Sequence, residues 1–452
     1  MRERPLSSVA ETVGGRHSGP DAPVSGVAVD SREVLPGSLF VALRGERVDG
    51  HDFLDRAFEA GAAGALVERD PGGRPAVVVD DTESAMRSLA VGERASMKAT
   101  VIGITGSTGK TSAKDLTAAV LGIRFRVAAS PRSFNTEIGV PVTLLNADVD
   151  ADVVVCEMGS RGPGHIRALS EVARPSIGVV TNVGPAHLEM FGSLEGVANA
   201  KAELVEALPA EGTAVLNADD EIVRTFASRT AASSLLYGTD RDAEVIAEDV
   251  SLDDLGHPSF TLRAPDGSER VELAVAGEHM VWNALAAAAC GTVLGLTAGE
   301  CAAGLKEARL SAWRMEVVES SGGYRILNDA YNANPTSMAA ALKAAAWMGR
   351  NGRCIAVLGH MAELGEFADR EHERIGELVA RLGVDRLVVV GPLARRIAVG
   401  ASREGVEPDR ITTADTVEEA AAAVGDGVRP GDVVLLKASR VAGLERLAEE
   451  LA

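Results

Sequence analysis

Gly103-Ile104-Thr105-Gly106-Ser107-Thr108-Gly109-Lys110-Thr111 is where the fold of this chain is decided. The stretch follows the run Ala99 to Thr105, which has the apolar character of a buried parallel strand, and it opens a helix with apolar residues at Ala113, Leu116 and Val120. Glycines at 106 and 109 let backbone amides face an anion, and a helix N-terminus adds its partial positive charge. Lys110 is placed to neutralise the outer phosphates of a nucleoside triphosphate, and the Thr111 hydroxyl to ligate Mg²⁺. Ile104 occupies the position of the first glycine in the strict G-x-x-x-x-G-K-T form, so a plain strand-to-helix turn is the alternative. The strand before and the helix after favour a phosphate loop, with ATP phosphates on Thr105, Gly106, Ser107, Thr108, Gly109, Lys110 and Thr111.

Outward from that loop the same rhythm repeats. Apolar runs from Val101 to Thr105, Val153 to Glu157, Ile177 to Thr181 and Ala214 to Asn217 each end at a polar or Gly-rich turn, the pattern of a doubly wound parallel sheet. Ala-rich helical stretches, Asn283 to Gly295 and Ala298 to Glu307, close this unit before Leu310-Ser311-Ala312. Beyond it, strand-like runs Arg325 to Asn328, Arg353 to Leu358, Arg386 to Val390 and Val433 to Leu436 begin another α/β unit. Before it, strand-like Ser38 to Leu43 and Ala76 to Val79 flank a helical Asp52 to Ala60 that ends at Gly61, and a second helical stretch runs from Thr82 to Met97. The expected fold class is α/β in three domains: a small N-terminal one over 1–83, a central parallel-sheet one with the phosphate loop over 84–312, and a Rossmann-like one over 313–452.

Bulk properties agree with that division. A length of 452 residues exceeds one ordinary core, and a hydrophobic content of 46% suffices for several, so global disorder is not expected. A formal charge of -20 argues against nonspecific nucleic-acid binding, which needs clustered Lys and Arg. Cys156, Cys290, Cys301 and Cys354 are scattered through apolar runs without metal-like spacing and read as reduced core thiols. Met1 to Gly19 lacks an apolar signal core, and no run approaches the roughly 18 apolar residues that span a bilayer, so a cytoplasmic protein without membrane insertion is expected.

Glu157, Asn182 and, slightly later, His187 fall at or just beyond the carboxyl ends of the expected strands, the side on which open α/β sheets bind ligands. Glu157 reads equally as a metal ligand or a surface turn, and His187 on its own as a packed or solvent-facing imidazole. Lys201, in Ala198-Asn199-Ala200-Lys201-Ala202-Glu203, reads by residue type as one charge on a solvated helix.

The ordered series Thr105 to Thr111, Glu157-Met158-Gly159, Thr181-Asn182-Val183 with His187, Ala200-Lys201-Ala202-Glu203, Gly277-Glu278-His279 with Asn283, and Arg314 resembles the ATP-dependent Mur ligases of bacterial cell-wall synthesis. Within that family, Asn328-Asp329-Ala330-Tyr331-Asn332-Ala333-Asn334-Pro335-Thr336-Ser337 and Val357-Leu358-Gly359-His360-Met361-Ala362-Glu363-Leu364-Gly365 look like the branch that adds D-alanyl-D-alanine. Asp30-Ser31-Arg32 and Pro36-Gly37-Ser38-Leu39-Phe40 look like its UDP-sugar domain. His360, Thr136 and Ala438 depart from the pattern, where the family commonly has Asp, Asn and Gly.

The resemblance implies an enzyme that activates the terminal carboxylate of UDP-N-acetylmuramoyl-tripeptide as an acyl phosphate, which the amine of D-alanyl-D-alanine then attacks. It implies Lys110 and Arg314 on phosphate charge, and Mg²⁺ on Thr111 and Glu157. A second Mg²⁺ would sit on a Lys201 carbamylated by CO₂, with His187 as its partner. Adenine is implied near His279 and Asn283, ribose near Asp329, the UDP-sugar at Ser31 and Arg32, and the dipeptide at Asn332 and Asn334. Turn chemistry before Pro335 is the alternative for Asn332 and Asn334. Closure about an inter-domain cleft and a monomeric state are further expectations. Competing readings are another amide-forming ligase of the superfamily, a nucleotide-gated binding module and a degenerate scaffold. The chain has neither the Asp-Asn-Pro-Arg string of diaminopimelate-adding ligases nor the Asn-Lys-x-Asp string of GTP readers.

Overall fold

The computed structural model describes residues 1–45, 48–186 and 188–451, so His187 lies outside the described residues. Among the described residues the chain builds sheets of five, nine and six strands and one two-stranded pairing, in chain order. The five-stranded sheet runs Arg16–Ser18, Ala76–Val78, Gly64–Val67, Leu39–Val41, Val27–Ala28 and is parallel except for its first pair.

The central sheet carries the site. Thr100–Thr105 lies between Val153–Glu157 and Ile177–Val180, parallel to both, so the loops after these three strands open at the same edge. Val101, Ile102, Ile104, Val154, Val155 and Val179 are fully buried, as expected for strands covered on both faces. Helices Lys110–Gly122 and Met280–Val293 cover one face, with Leu116, Val120, Ala284 and Ala287 in a shared core. Helix Leu194–Glu206 covers the other through Ala198, Ala202 and Val205 against Val180 and Leu216.

This sheet is not wholly parallel. Val245–Leu252 joins the parallel strands at Ser233–Gly238, but Pro258–Ala264 and Gly267–Glu272 continue from it antiparallel. Pro258–Ala264 alternates buried and partly exposed positions, because only one face of this extension is covered, and the solid apolar runs expected of parallel strands are absent there.

Helix Thr82–Ser96 begins where the expected division at residue 83 falls, and its Met86, Leu89 and Ala90 share one core with Leu6 and Val9 on one side and Leu144 and Leu145 on the other. Arg132 pairs with Glu33 at 3.0 Å across the same junction. The C-terminal sheet runs Glu316–Glu319, Arg325–Asn328, Val433–Lys437, Cys354–Leu358, Arg386–Val390, Ile411–Ala414, with only the first pair antiparallel. Leading into it, Trp313 and Met315 adopt left-handed backbone, φ 60° and 52°, which side chains other than glycine seldom take. All four cysteines are free and buried, and burial pushes the Cys156 and Cys290 thiols up to about 12, in keeping with inert core residues.

Candidate active site

A cleft of about 1010 Å³ opens where the central sheet's carboxyl edge faces the C-terminal domain. Ser107 to Ser112 form its floor. Gly109 has φ +78° and a side chain there would put Cβ 2.4 Å from Asn283 Oδ1, so the loop's close passage under the helix Met280–Val293 requires glycine. Asn182 clamps the loop's far side: its Oδ1 accepts from Thr108 N at 2.9 Å and its Nδ2 donates to Thr108 Oγ1 at 2.8 Å. Thr105 Oγ1 donates to Met158 O at 2.8 Å, tying the strand end to its neighbour.

Lys110 starts the helix, and its Nζ donates to Gly106 O at 2.7 Å, folded back over its own loop. Desolvation lowers its pKa; Glu157 opposes that and Arg314 adds to it. Thr111 Oγ1 donates to Glu157 Oε2 at 2.8 Å, while Asn135 Nδ2 donates to Glu157 Oε1 at 2.7 Å. Glu157 is 1% exposed, so the surface-turn reading fails and a buried carboxylate aimed at the loop replaces it. The donor set is a hydroxyl and a carboxylate, hard oxygens few in number, which fits a magnesium ion that keeps water and phosphate as its remaining ligands.

Lys201 corrects the solvated-helix reading outright. It is 1% exposed and its Nζ donates to Ser160 Oγ at 2.8 Å. Burial, helped by the charge of Lys110, holds its amine well below the usual lysine range. Lys201 itself stands behind the cleft wall, whereas Ser160 lines the cleft.

His279, Asn283, Arg314 and Asp329 all line the cleft. Desolvation lowers the His279 imidazole to about 4, Asp329 opposing and Lys437 assisting, so it is neutral at physiological pH. Asp329 pairs with Lys437, whose Nζ also donates to Asn332 O at 3.0 Å. The Arg314 guanidinium lies 4.1 Å from the centre of the Tyr331 ring, and its buried Nε has no hydrogen-bond partner among the described residues. An orphaned donor in a cleft that already holds Lys110 suits an anionic ligand.

Asn332 is exposed in the cleft, and Asn334 does two jobs. Its side chain caps helix Pro335–Met348 by accepting from Ser337 N at 2.9 Å, and its Nδ2 reaches Ser107 O at 3.4 Å. Tyr331 Oη and Ser133 Oγ hydrogen-bond across the cleft. Ser31 and Arg32 do not line this cleft; Ser31 is buried in the N-terminal domain and Arg32 Nε donates to Asp30 Oδ1 at 2.9 Å. Ala438 fits its departure from pattern because Gly359 faces it: a Cβ on residue 359 would stand 2.6 Å from that of Ala438. Thr136 lines the cleft, and His360 is half-buried, its imidazole pKa lowered by burial and by His372.

The sequence reading passed over Asn135, Ser160, Asp219, Trp282, Lys437 and Arg440 as site residues, all of which the fold brings to the cleft. Position in the turn just after the strand Thr213–Asn217 could have flagged Asp219, and adjacency to Asn283 could have flagged Trp282; Ser160 and Asn135 carry no local signal, since only the fold brings them to Lys201 and Glu157.

Three family models match in order: one described as Mur ligase family, catalytic domain, over residues 23–96; Mur ligase middle domain over 104–291; and Mur ligase, glutamate ligase domain over 313–440. The UDP-N-acetylmuramoyl-tripeptide--D-alanyl-D-alanine ligase of Mycobacterium tuberculosis is 45% identical, covering 100% of this chain and 98% of the relative. Among solved structures, MurF from Acinetobacter baumannii superposes with a TM-score of 0.88 at 28% identity, covering 100% of this chain and 99% of that one. The MurF ligase from Thermotoga maritima in complex with ADP gives 0.81 at 30% identity, covering 95% and 97%.

Proposed function

The chain belongs to the Mur ligase family, and from that premise we propose that it joins D-alanyl-D-alanine to UDP-N-acetylmuramoyl-tripeptide at the expense of ATP. The observation that carries this reading is the meeting of two elements across the cleft: Asn334, in the segment resembling the dipeptide-adding branch, reaches Ser107 O of the phosphate loop at 3.4 Å.

A carboxylate resists attack by an amine, so the tripeptide's terminal carboxylate first takes the γ-phosphoryl group of ATP, releasing ADP. The amine of the dipeptide then attacks the acyl carbon, phosphate leaves, and a proton is lost from nitrogen. Phosphoryl transfer is promoted by positioning and charge neutralisation, and this chain supplies both through the loop amides, Lys110 and Arg314. Thr111 and Glu157 would hold a magnesium ion, which supplies further neutralisation of phosphate charge when bound.

For Lys201 we assign carbamylation. A bare ammonium would repel a second metal ion, whereas a buried neutral amine has the lone pair needed to attack CO₂ and, on losing a proton, becomes an anionic oxygen donor. His187, outside the described residues, is assigned as its partner. Asn283 and His279 are assigned to adenine, Asp329 to ribose, Asn332 and Asn334 to the dipeptide, and Ser31 and Arg32 to the UDP-sugar. The domain limits 1–83, 84–312 and 313–452, a monomeric state and a cytoplasmic location belong to the same proposal; no helix among the described residues is long and apolar enough to cross a membrane.

The test is phosphate release and product mass with ATP, Mg²⁺, D-alanyl-D-alanine and the tripeptide in its lysine and diaminopimelate forms. One phosphate per pentapeptide formed is the expected result. ATP turnover that ignores the dipeptide would overturn the assignment.

A further inference from the structure

The cleft sorts its charges. Lys110, Arg314 and Lys437 are close enough for Arg314 to depress the pKa of both lysines, and they gather between the phosphate loop and Asp329. Asp219, Asp220 and Glu221 line a different stretch of wall beside Ile222 and Trp282. Phosphates are excluded from an acidic wall, so the part of a nucleotide that suits that side is its uncharged base.

Among the described residues, the tyrosine and tryptophan rings that line the cleft are Tyr331 and Trp282, and Trp313 lies under Arg440 of that lining; of these three, Tyr331 and Trp313 already carry cations. Arg314 lies over Tyr331 at 4.1 Å, with Arg440 5.9 Å from the same ring, and Arg440 lies 4.4 Å over Trp313. Over Trp282, among the described residues, no cation stands. Its half-buried indole lines the cleft one residue before Asn283, whose amide is in contact with Gly109 of the phosphate loop. It is also held in one orientation. Trp282 Nε1 donates to Asp219 Oδ2 at 2.6 Å. That carboxylate is itself fixed by Thr239 N and Thr239 Oγ1, both at 2.8 Å, and by Asp240 N at 3.0 Å.

We propose that Trp282 is the platform on which the nucleotide base stacks, and that Asp219 is the positioning residue that sets the indole's angle. This rests on the reading of the loop as an ATP site and adds to it the residue that receives the base. A ring pre-oriented by a four-bond carboxylate loses little freedom when the base settles on it, which is the condition for a stack to contribute its full affinity.

The experiment is equilibrium binding of ADP and, separately, of inorganic tripolyphosphate to the full-length protein with Mg²⁺, for wild type, Trp282→Leu and Trp282→Phe. ADP affinity should fall about tenfold in Trp282→Leu, the scale of one lost base-on-aromatic stack, with tripolyphosphate binding unchanged and most of the ADP affinity regained in Trp282→Phe. ADP should also quench the wild-type indole emission and leave that of Trp282→Phe unaltered, a measurement that survives even if the leucine variant fails to fold. Equal ADP affinity in all three proteins, or a parallel loss of ADP and tripolyphosphate, would overturn the platform while leaving the ATP site standing. A wild-type protein that binds no ADP would instead bring down the ATP reading itself.

Discussion

Desolvation disfavours the charge on Lys110 between the cleft walls; Glu157 offsets it from inside the protein, and the phosphates of a nucleotide would offset it from the cleft. Lys110→Ala should therefore cut phosphate release by two or more orders of magnitude while UDP-sugar binding persists; near-normal release would contradict the assignment. The opposite logic governs Lys201, whose burial favours the neutral amine and whose Nζ, among the described residues, hydrogen-bonds the Ser160 hydroxyl. Lys201→Ala should be nearly inactive and partly restored by a short carboxylic acid that replaces the missing anionic oxygen, and full activity without it would exclude carbamylation. His279 yields a pH prediction. Its folded pKa of about 4 lies below the ordinary 6.5, so the unfolded chain binds the proton more readily. Its contribution is constant above pH 6.5 and destabilises the fold progressively as pH falls from there towards 4. His279→Gln should flatten the decline of Tm in that window, and parallel Tm curves for the two proteins would refute it. Sequence made Lys110 and Thr111 legible because their roles are local to one turn. Lys201 was illegible by residue type: its environment is made by Ser160, 41 residues away. The family resemblance, not helix patterning, singled it out.

Helix Pro335–Met348 ties stability to the site through its first residue pair. Asn334 closes a capping box with Ser337 and also reaches the phosphate loop, so truncation removes two things at once. Asn334→Ala should cost about 1 kcal/mol in unfolding free energy through the lost cap. Asn334→Ser should restore most of that stability, since serine caps well, yet still raise the KM for the dipeptide because its side chain is too short for Ser107 O. Recovery of both quantities in the serine variant would show that the residue is only a cap. The strands that carry the loop were legible because fully buried parallel strands read as solid apolar runs, as Val153–Glu157 does. The antiparallel extension Val245–Leu252, Pro258–Ala264, Gly267–Glu272 was not, since its half-exposed strands mix Glu, Asp, Arg and Ser into the pattern.

The whole molecule is held around the cleft from two edges. At one, Trp347 Nε1 donates to Asp253 O at 2.8 Å and Arg350 pairs with Asp254, joining helix Pro335–Met348 and the turn after it to the central domain. At the other, Tyr331 bonds Ser133 directly over the site. Between them the chain passes through Trp313 and Met315, whose left-handed backbone costs of order 1–3 kcal/mol each and can be relieved by rotation. We propose 313–315 as the hinge of the expected inter-domain closure, with the Tyr331–Ser133 bond as a polar latch at its mouth. Tyr331→Phe isolates the latch, because phenylalanine keeps the ring under Arg314 and removes only the hydroxyl. A bond between two side chains at a solvent-reached cleft contributes about 1 kcal/mol, enough to shift a two-state opening equilibrium severalfold but not to unfold the protein. The expected outcome is an unliganded Tyr331→Phe protein with a larger radius of gyration in small-angle scattering than wild type, an unchanged Tm, and the wild-type radius regained on adding ATP, Mg²⁺ and tripeptide. Scattering curves identical for both proteins, with and without ligands, would mean the three domains move as one rigid body and that water is excluded from the acyl phosphate by fixed walls instead of closure.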